Sequence, residues 1–139
     1  MNNVFLDTNV ILDYLLARTP FDSDAKQLFE EAELGNIELF ASALSFCNMA
    51  YIVRKIKPTA DFSTIANDLS TLISITPINQ SVIVQALSLG YKDFEDAVQY
   101  CSALSETGLT HFLTRNKTDF TQTSLPIMSP TEYWALNPN

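Results

Sequence analysis

Asp7 and Asn9, then Asp93 and Asp96, then Thr114, Asn116 and Asp119 are the side chains of this sequence whose types and places suit chemistry. The apolar run Val4-Phe5-Leu6 ends in Asp7, the run around Phe112-Leu113 ends in Thr114, and Asp96 falls in the first turn of a helix between them. Where strands alternate with helices, ligands gather beyond the carboxyl ends of the strands, so these residues belong on one rim. Carboxylates brought there from distant segments offer hard oxygens to Mg²⁺ or Mn²⁺, ions that keep several waters. Such a cation lowers the pKa of a water and offsets the charge of a phosphate. Plainer readings stand beside this one. Asp7 and Asn9 can simply cap a helix, Asp93 reads best as a cap with Asp96 at the third helical position, and Asn116 and Asp119 can be turn residues. Asn48 sits inside an apolar run, residues 46–52, where an amide either finds partners in a core or faces a cleft. His111 reads as a packed strand residue, and Cys47 and Cys101 as small core hydrophobes.

The elements that must position these residues follow from periodicity. Residues 4–7 read as a buried strand, and residues 8–18 as a helix on Val10, Ile11, Tyr14 and Leu15, ended by Pro20. A second helix runs from Ser23 to a stop at Gly35, a strand covers residues 37–41, and residues 45–55 read as a buried helix. Another helix starts near Thr59 with Phe62, Ile65, Ala66, Leu69 and Ile73 on its stripe, and residues 75–78 form a short edge strand because of Pro77. Asn79 caps a short helix, and residues 93–96 open the next, whose apolar face is Ala97, Tyr100, Cys101 and Leu104, closed by Gly108. Residues 110–114 and 125–128 are the last strands. Ser129-Pro130-Thr131-Glu132 has the form of a capping box ahead of a helix carrying Tyr133 and Trp134. This alternation predicts one α/β domain over residues 1–139, a sandwich around a short parallel sheet.

Composition narrows the chemistry. The 139 residues carry 8 Lys plus Arg against 16 Asp plus Glu, a formal charge of −8, which argues against a binder that holds nucleic acid by a broad basic surface. One histidine cannot build a multi-histidine metal site, and three glycines cannot build a phosphate loop. Two isolated cysteines support neither a disulfide framework nor a thiolate zinc site, so a reduced, cytoplasmic setting is expected, with no signal peptide and no membrane span.

Three segments, residues 4–13 (Val-Phe-Leu-Asp-Thr-Asn-Val-Ile-Leu-Asp), 93–97 (Asp-Phe-Glu-Asp-Ala) and 114–120 (Thr-Arg-Asn-Lys-Thr-Asp-Phe), in this order within one domain, resemble the PIN domain, especially the VapC-type toxins of bacterial toxin–antitoxin pairs. The resemblance covers nearly the entire chain. It implies an α/β/α sandwich and a ribonuclease whose carboxylates hold Mg²⁺ or Mn²⁺ for phosphodiester hydrolysis. Asp7 then matches the first acid, Asp96 the acid opening the later helix, Asn116 and Asp119 the final polar pair, and Asn9 a support for the first acid. Inhibition by a protein antitoxin is implied in the same way. One position departs: the family places a glutamate early in the helix after the second strand, and the nearest residue here is Asn48, which brings no charge. Asp93 or Glu95 could supply it. The departure keeps a second expectation open, a PIN-like scaffold with weak or no turnover that binds RNA or a protein. A receiver-type phosphoryl-transfer protein fits less well, because residues 75–78 supply no phosphoacceptor aspartate. Tyr14, Leu15 and Leu16 of the first helix, with Met49, Tyr51, Ile52 and Val53 of the third, exceed what one side of a thin sheet can cover, so a homodimer is expected.

Overall fold

The computed structural model describes residues 1–138. Along the chain come β1 (Asn2–Leu6), α1 (Thr8–Leu15), α2 (Asp22–Glu33), β2 (Ile37–Ser42), α3 (Ala43–Ile56), α4 (Phe62–Ser70) and β3 (Ile73–Thr76). Then follow α5 (Gln80–Leu89), α6 (Phe94–Leu104), β4 (His111–Leu113), a 3₁₀ turn (Lys117–Asp119), β5 (Ile127–Met128) and α7 (Pro130–Leu136). The five strands make one all-parallel sheet in the order β3-β2-β1-β4-β5.

β1 is apolar throughout its second half because it is covered on both faces. Val4 and Leu6 point into a core built with Val10 of α1, Leu28 of α2 and Met49 of α3. Phe5 points the other way, where it meets Phe40, Phe112 and Tyr100 of α6. Helices on both sides of a parallel sheet give the expected α/β/α sandwich. The chain leaves β1 for β2 on one side and later returns to β4 on the other, so the strand order reverses at β1 and opens a crevice beyond the ends of β1 and β4.

The helix starts are set by local chemistry. The Asp7 carboxylate accepts from the Thr8 N–H at 2.8 Å, Asn79 from Val82 N–H at 3.0 Å, and Asp93 from Glu95 N–H at 2.9 Å, each satisfying a donor the helix leaves open. At α7 the capping box closes both ways, Glu132 N–H to Ser129 at 3.1 Å and Ser129 N–H to Glu132 at 3.0 Å. Gly35, at φ +77°, stops α2 in a left-handed conformation that other residues resist.

Several expected boundaries and burials are corrected. α1 ends at Leu15, and Ala17 at φ +49° turns the chain before Arg18. α4 begins behind the Asp61 cap, and Ile73 opens β3 instead of closing the helix stripe; a residue four beyond Leu69 fits either pattern, and the strand pairing with Leu39 decides it. β3 therefore covers residues 73–76 and does form a sheet edge, with Pro77 just past its end. α3 is not buried all round: Met49 and Val53 lie in the core, whereas Cys47 and Tyr51 face outward. Cys47 is thus no core residue, although Cys101 is. Leu104, expected on the inner face of α6, is exposed at that helix's last turn.

Phe112 is the hub of the α6-side core, with ring centroids 4.8 Å from Phe5, 4.8 Å from Phe120 and 5.9 Å from Tyr100. Phe112→Ala is expected to lower the unfolding free energy by about 3–5 kcal/mol, whereas truncating the exposed Phe94 costs less than about 1 kcal/mol. Urea denaturation of the two variants against the parent chain checks the contrast.

Candidate active site

At the crevice, β1 and β4 are tied by the Asp7 N–H, which donates to the Leu113 carbonyl at 2.9 Å. The Asp7 side chain there is 6% exposed. One carboxylate oxygen accepts from the Thr114 hydroxyl at 2.8 Å and the other from the Thr8 N–H at 2.8 Å. Asn9 braces the same corner: its amide lies 3.4 Å from the Thr114 hydroxyl, and its oxygen takes the Arg115 N–H at 3.3 Å. Burial nevertheless raises the Asp7 pKa, against the lowering by these two hydrogen bonds and with help from the charges of Asp119 and Asp93.

Asp96 faces the same space from the first turn of α6. Its pKa is pushed up to about 7, first by burial and then by the charges of Asp7, Asp93, Asp119 and Glu95. Asp7, Asn9, Asn48, Asp96 and Asn116 line one cavity of about 470 Å³, so the structure brings these sequence-selected residues together. Thr114 is fully buried against Asp7. Asp119 and Asp93 are exposed and line an adjoining depression that shares Asp96 as its wall. Asp93 is also the cap of α6, as the plainer reading had it. Asn48 faces the cleft instead of the helix–sheet core. Among the described residues, no three His, Cys, Asp or Glu side chains are grouped closely enough to hold a metal ion by themselves. Asp7, Asp96 and Glu95, with the amide oxygens of Asn48 and Asn116, are among the hard-oxygen donors the cavity presents.

Two parts of the site went unseen in the sequence. Gln99, 2% exposed and three residues after Asp96, donates to the Thr8 hydroxyl at 3.0 Å and the Ser45 hydroxyl at 2.8 Å, and accepts from Ser42. Thr8 and Ser45 hydroxyls also meet at 2.8 Å. One amide thereby ties α1, α3 and α6 together under the cavity. Its sequence signal is only its place one turn after Asp96. The second part is Asp13, 1% exposed, which accepts from Arg115 Nε at 2.7 Å and Nη2 at 3.0 Å and from Arg18 Nε at 2.8 Å.

Comparison with known proteins agrees with this architecture. The PIN domain family model matches residues 3–118, and the chain belongs to that family. Among solved structures, the chain is similar to one from a toxin–antitoxin complex of Klebsiella pneumoniae, with TM-score 0.66, 20% identity, and coverage of 91% of this chain and 97% of the other. It is similar to VapC20 of Mycobacterium tuberculosis, described as a Sarcin-Ricin loop cleaving toxin, with TM-score 0.62, 15% identity, and coverage of 78% and 86%. PAE2754 of Pyrobaculum aerophilum matches with TM-score 0.58, 16% identity, and coverage of 99% and 91%. No curated protein sequence matches the chain.

The raised Asp96 pKa has a consequence for stability. The folded chain holds a proton up to about pH 7 that the unfolded chain releases near the ordinary 3.8, so this group favours folding most below that value and loses its contribution as pH rises to 7. In chelator-treated protein, Asp96→Asn is therefore expected to be more stable than the parent by roughly 1 kcal/mol at about pH 8, a figure reduced for solvent screening of a half-buried group, and equal to it near pH 4. Chemical denaturation at the two pH values measures the difference.

Proposed function

We propose that this chain is a ribonuclease, dependent on Mg²⁺ or Mn²⁺, that hydrolyses RNA phosphodiester bonds and is the toxin of a toxin–antitoxin pair. The observation that carries this reading is the pair Asp7 and Asp96 on one cavity, each holding its proton above the usual carboxylate range. Burial raises both carboxyls first and neighbouring acids add to it, and a divalent cation, whose charge favours the ionised forms, fits such a space. Asp7 and Asp96 would hold it, with Asn48 and Asn116 facing it and Asp119 reaching from the adjoining depression. Bound there, the cation supplies an activated water and neutralises phosphate charge. The chain's own residues do the rest: Thr114 and the Thr8 N–H fix the direction of Asp7, Asn9 braces Thr114, and Gln99 keeps α6, and so Asp96, in register with α1.

Partner and setting follow from likeness. One structural neighbour comes from a toxin–antitoxin complex and another cleaves the Sarcin-Ricin loop, which supports RNA as substrate and a protein antitoxin as inhibitor. An acidic cavity is a natural receptor for an inserted arginine. Among the described residues no helix is long and apolar enough to cross a membrane, and the two cysteines are free, which suits a cytoplasmic protein. Of the dimer face expected from α1 and α3, Met49 and Val53 lie in the core and Tyr14, Leu15, Leu16 and Ile52 pack partly buried against it, leaving Tyr51, 65% exposed, joined further along α3 by Ile56, 56% exposed. We propose that this face pairs two copies and buries about 1,200–2,000 Å².

A second reading, a PIN-like scaffold with weak turnover, is favoured by one observation: Asn48 faces the cavity without the charge of the family's glutamate. Titration with Mn²⁺ separates the two. The parent chain is expected to bind Mn²⁺ and cleave RNA, Asp7→Asn to lose cleavage by at least about 100-fold, and Asn48→Glu to bind Mn²⁺ more tightly and cleave faster. A parent chain that binds neither ion nor RNA would sink the nuclease. Sedimentation equilibrium at micromolar concentration is expected to report twice the 15.5 kDa chain mass, and a species that stays at 15.5 kDa removes the dimer.

A further inference from the structure

The geometry points to Arg18 and Arg115, clamped on Asp13, as a binding subsite for a backbone phosphate of single-stranded RNA at the rim of the Asp7–Asp96 cavity. The inference rests on the RNA reading above and adds to it the residues that hold the strand. Both arginines line the cavity together with Asp7, Asp96 and Glu95. The chain has twice as many acids as bases, so any phosphate approaching this opening meets repulsion unless fixed cations stand beside it.

Charge counting separates this role from a purely structural one. Asp13 is already neutralised by the two-pronged grip of Arg115, Nε at 2.7 Å and Nη2 at 3.0 Å. Arg18 adds a second cation to the same acid, Nε at 2.8 Å, so two guanidinium groups share one carboxylate and leave one positive charge over. A guanidinium carries five N–H donors. Arg115 commits two to Asp13, and Arg18 commits one to Asp13 and one to the Asn9 carbonyl at 3.1 Å. The remaining donors suit the oxygens of a phosphodiester.

Both groups are held in place. Arg115 lies 4.1 Å over the Phe21 ring, and Arg18 follows Ala17, whose φ of +49° turns the chain back on α1. The Arg18 N–H then donates to the Asp13 carbonyl at 3.0 Å, folding its side chain back toward the start of α1. A rigid cation loses little freedom on binding an anion.

Fluorescence anisotropy with a labelled single-stranded RNA oligonucleotide and chelator-treated full-length protein tests the subsite, with affinity read across salt concentrations. Arg18→Gln is expected to weaken binding about 5–10-fold and to lower the slope of log K against log salt by about 0.7, one phosphate contact on a single strand. Arg18→Lys is expected to restore the slope, and Lys26→Gln, which removes an exposed cation of α2, to leave it unchanged. In Mn²⁺-supported cleavage, Arg18→Gln is expected to raise KM with kcat largely kept. Unchanged affinity and slope in Arg18→Gln, an equal fall in Lys26→Gln, or inorganic phosphate bound as tightly as the RNA would each overturn the assignment. Retention of the Arg115 grip on Asp13 keeps Arg18→Gln folded, and a thermal melt verifies it. Arg18-dependent RNA binding without any cleavage would refute the nuclease and leave the subsite standing. Normal cleavage with Arg18→Gln unaffected would do the reverse.

Discussion

The hydrogen bond from Thr114 to the Asp7 carboxylate, 2.8 Å long across 107 residues of sequence, is the interaction around which the molecule is organised. A carboxylate this deeply buried is costly unless its oxygens are occupied, and only the ends of two adjacent parallel strands bring a hydroxyl and a helix N–H to it at once. β1 therefore has to sit beside β4. That neighbourhood requires the chain to finish β2 and β3 on one side of β1 and then cross to the other, which α5 and α6 accomplish. The crossover delivers Asp96 and Gln99 to the same crevice.

Charge around the crevice is divided between two places. Acids cluster where ionisation is already resisted, and the cations stand next door on Asp13. The separation is built into α1: Asp7 caps it, Asn9 lies in its first turn and Asp13 in its second, so a single short helix carries the acid, its brace and the anchor for both arginines. Gln99 fixes that helix from beneath through Thr8. An amide serves there because it donates to two hydroxyls and accepts from a third, whereas a carboxylate would place further negative charge under Asp7 and Asp96.

Much of this was legible in the sequence, for physical reasons that differ by element. β1 announced itself because a strand buried on both faces must be apolar until its end, and α7 because a capping box is a local interaction with a local signature. Asp7 and Thr114 could be collected because they terminate apolar runs, and Asp96 because it falls in the first turn of the helix between them. α3 was misread in part: it is apolar nearly all round, so periodicity could not tell the side of Met49 from the side of Cys47. Ile73 fitted a helix stripe and a strand equally well until its pairing was known. Gln99, Ser42 and Ser45 look like surface residues in one dimension, and only tertiary proximity turns them into a buried network. The grip of Arg18 and Arg115 on Asp13 has the same origin, since residues 13 and 115 meet only after the sheet has closed.

The distance in sequence between Asp7 and Thr114 also governs when the crevice comes into being during synthesis. A nascent chain that has emerged as far as α6 already carries Asp7 and Asp96, but without β4 the first of these has no strand beside it and no hydroxyl to direct it. At roughly 5–20 residues added per second, the ribosome leaves this half-built sheet waiting about a second for the strand that completes it. Assembly of the acids is thus deferred until β4 has been made, and a chain that stops before β4 lacks the hydroxyl that directs Asp7.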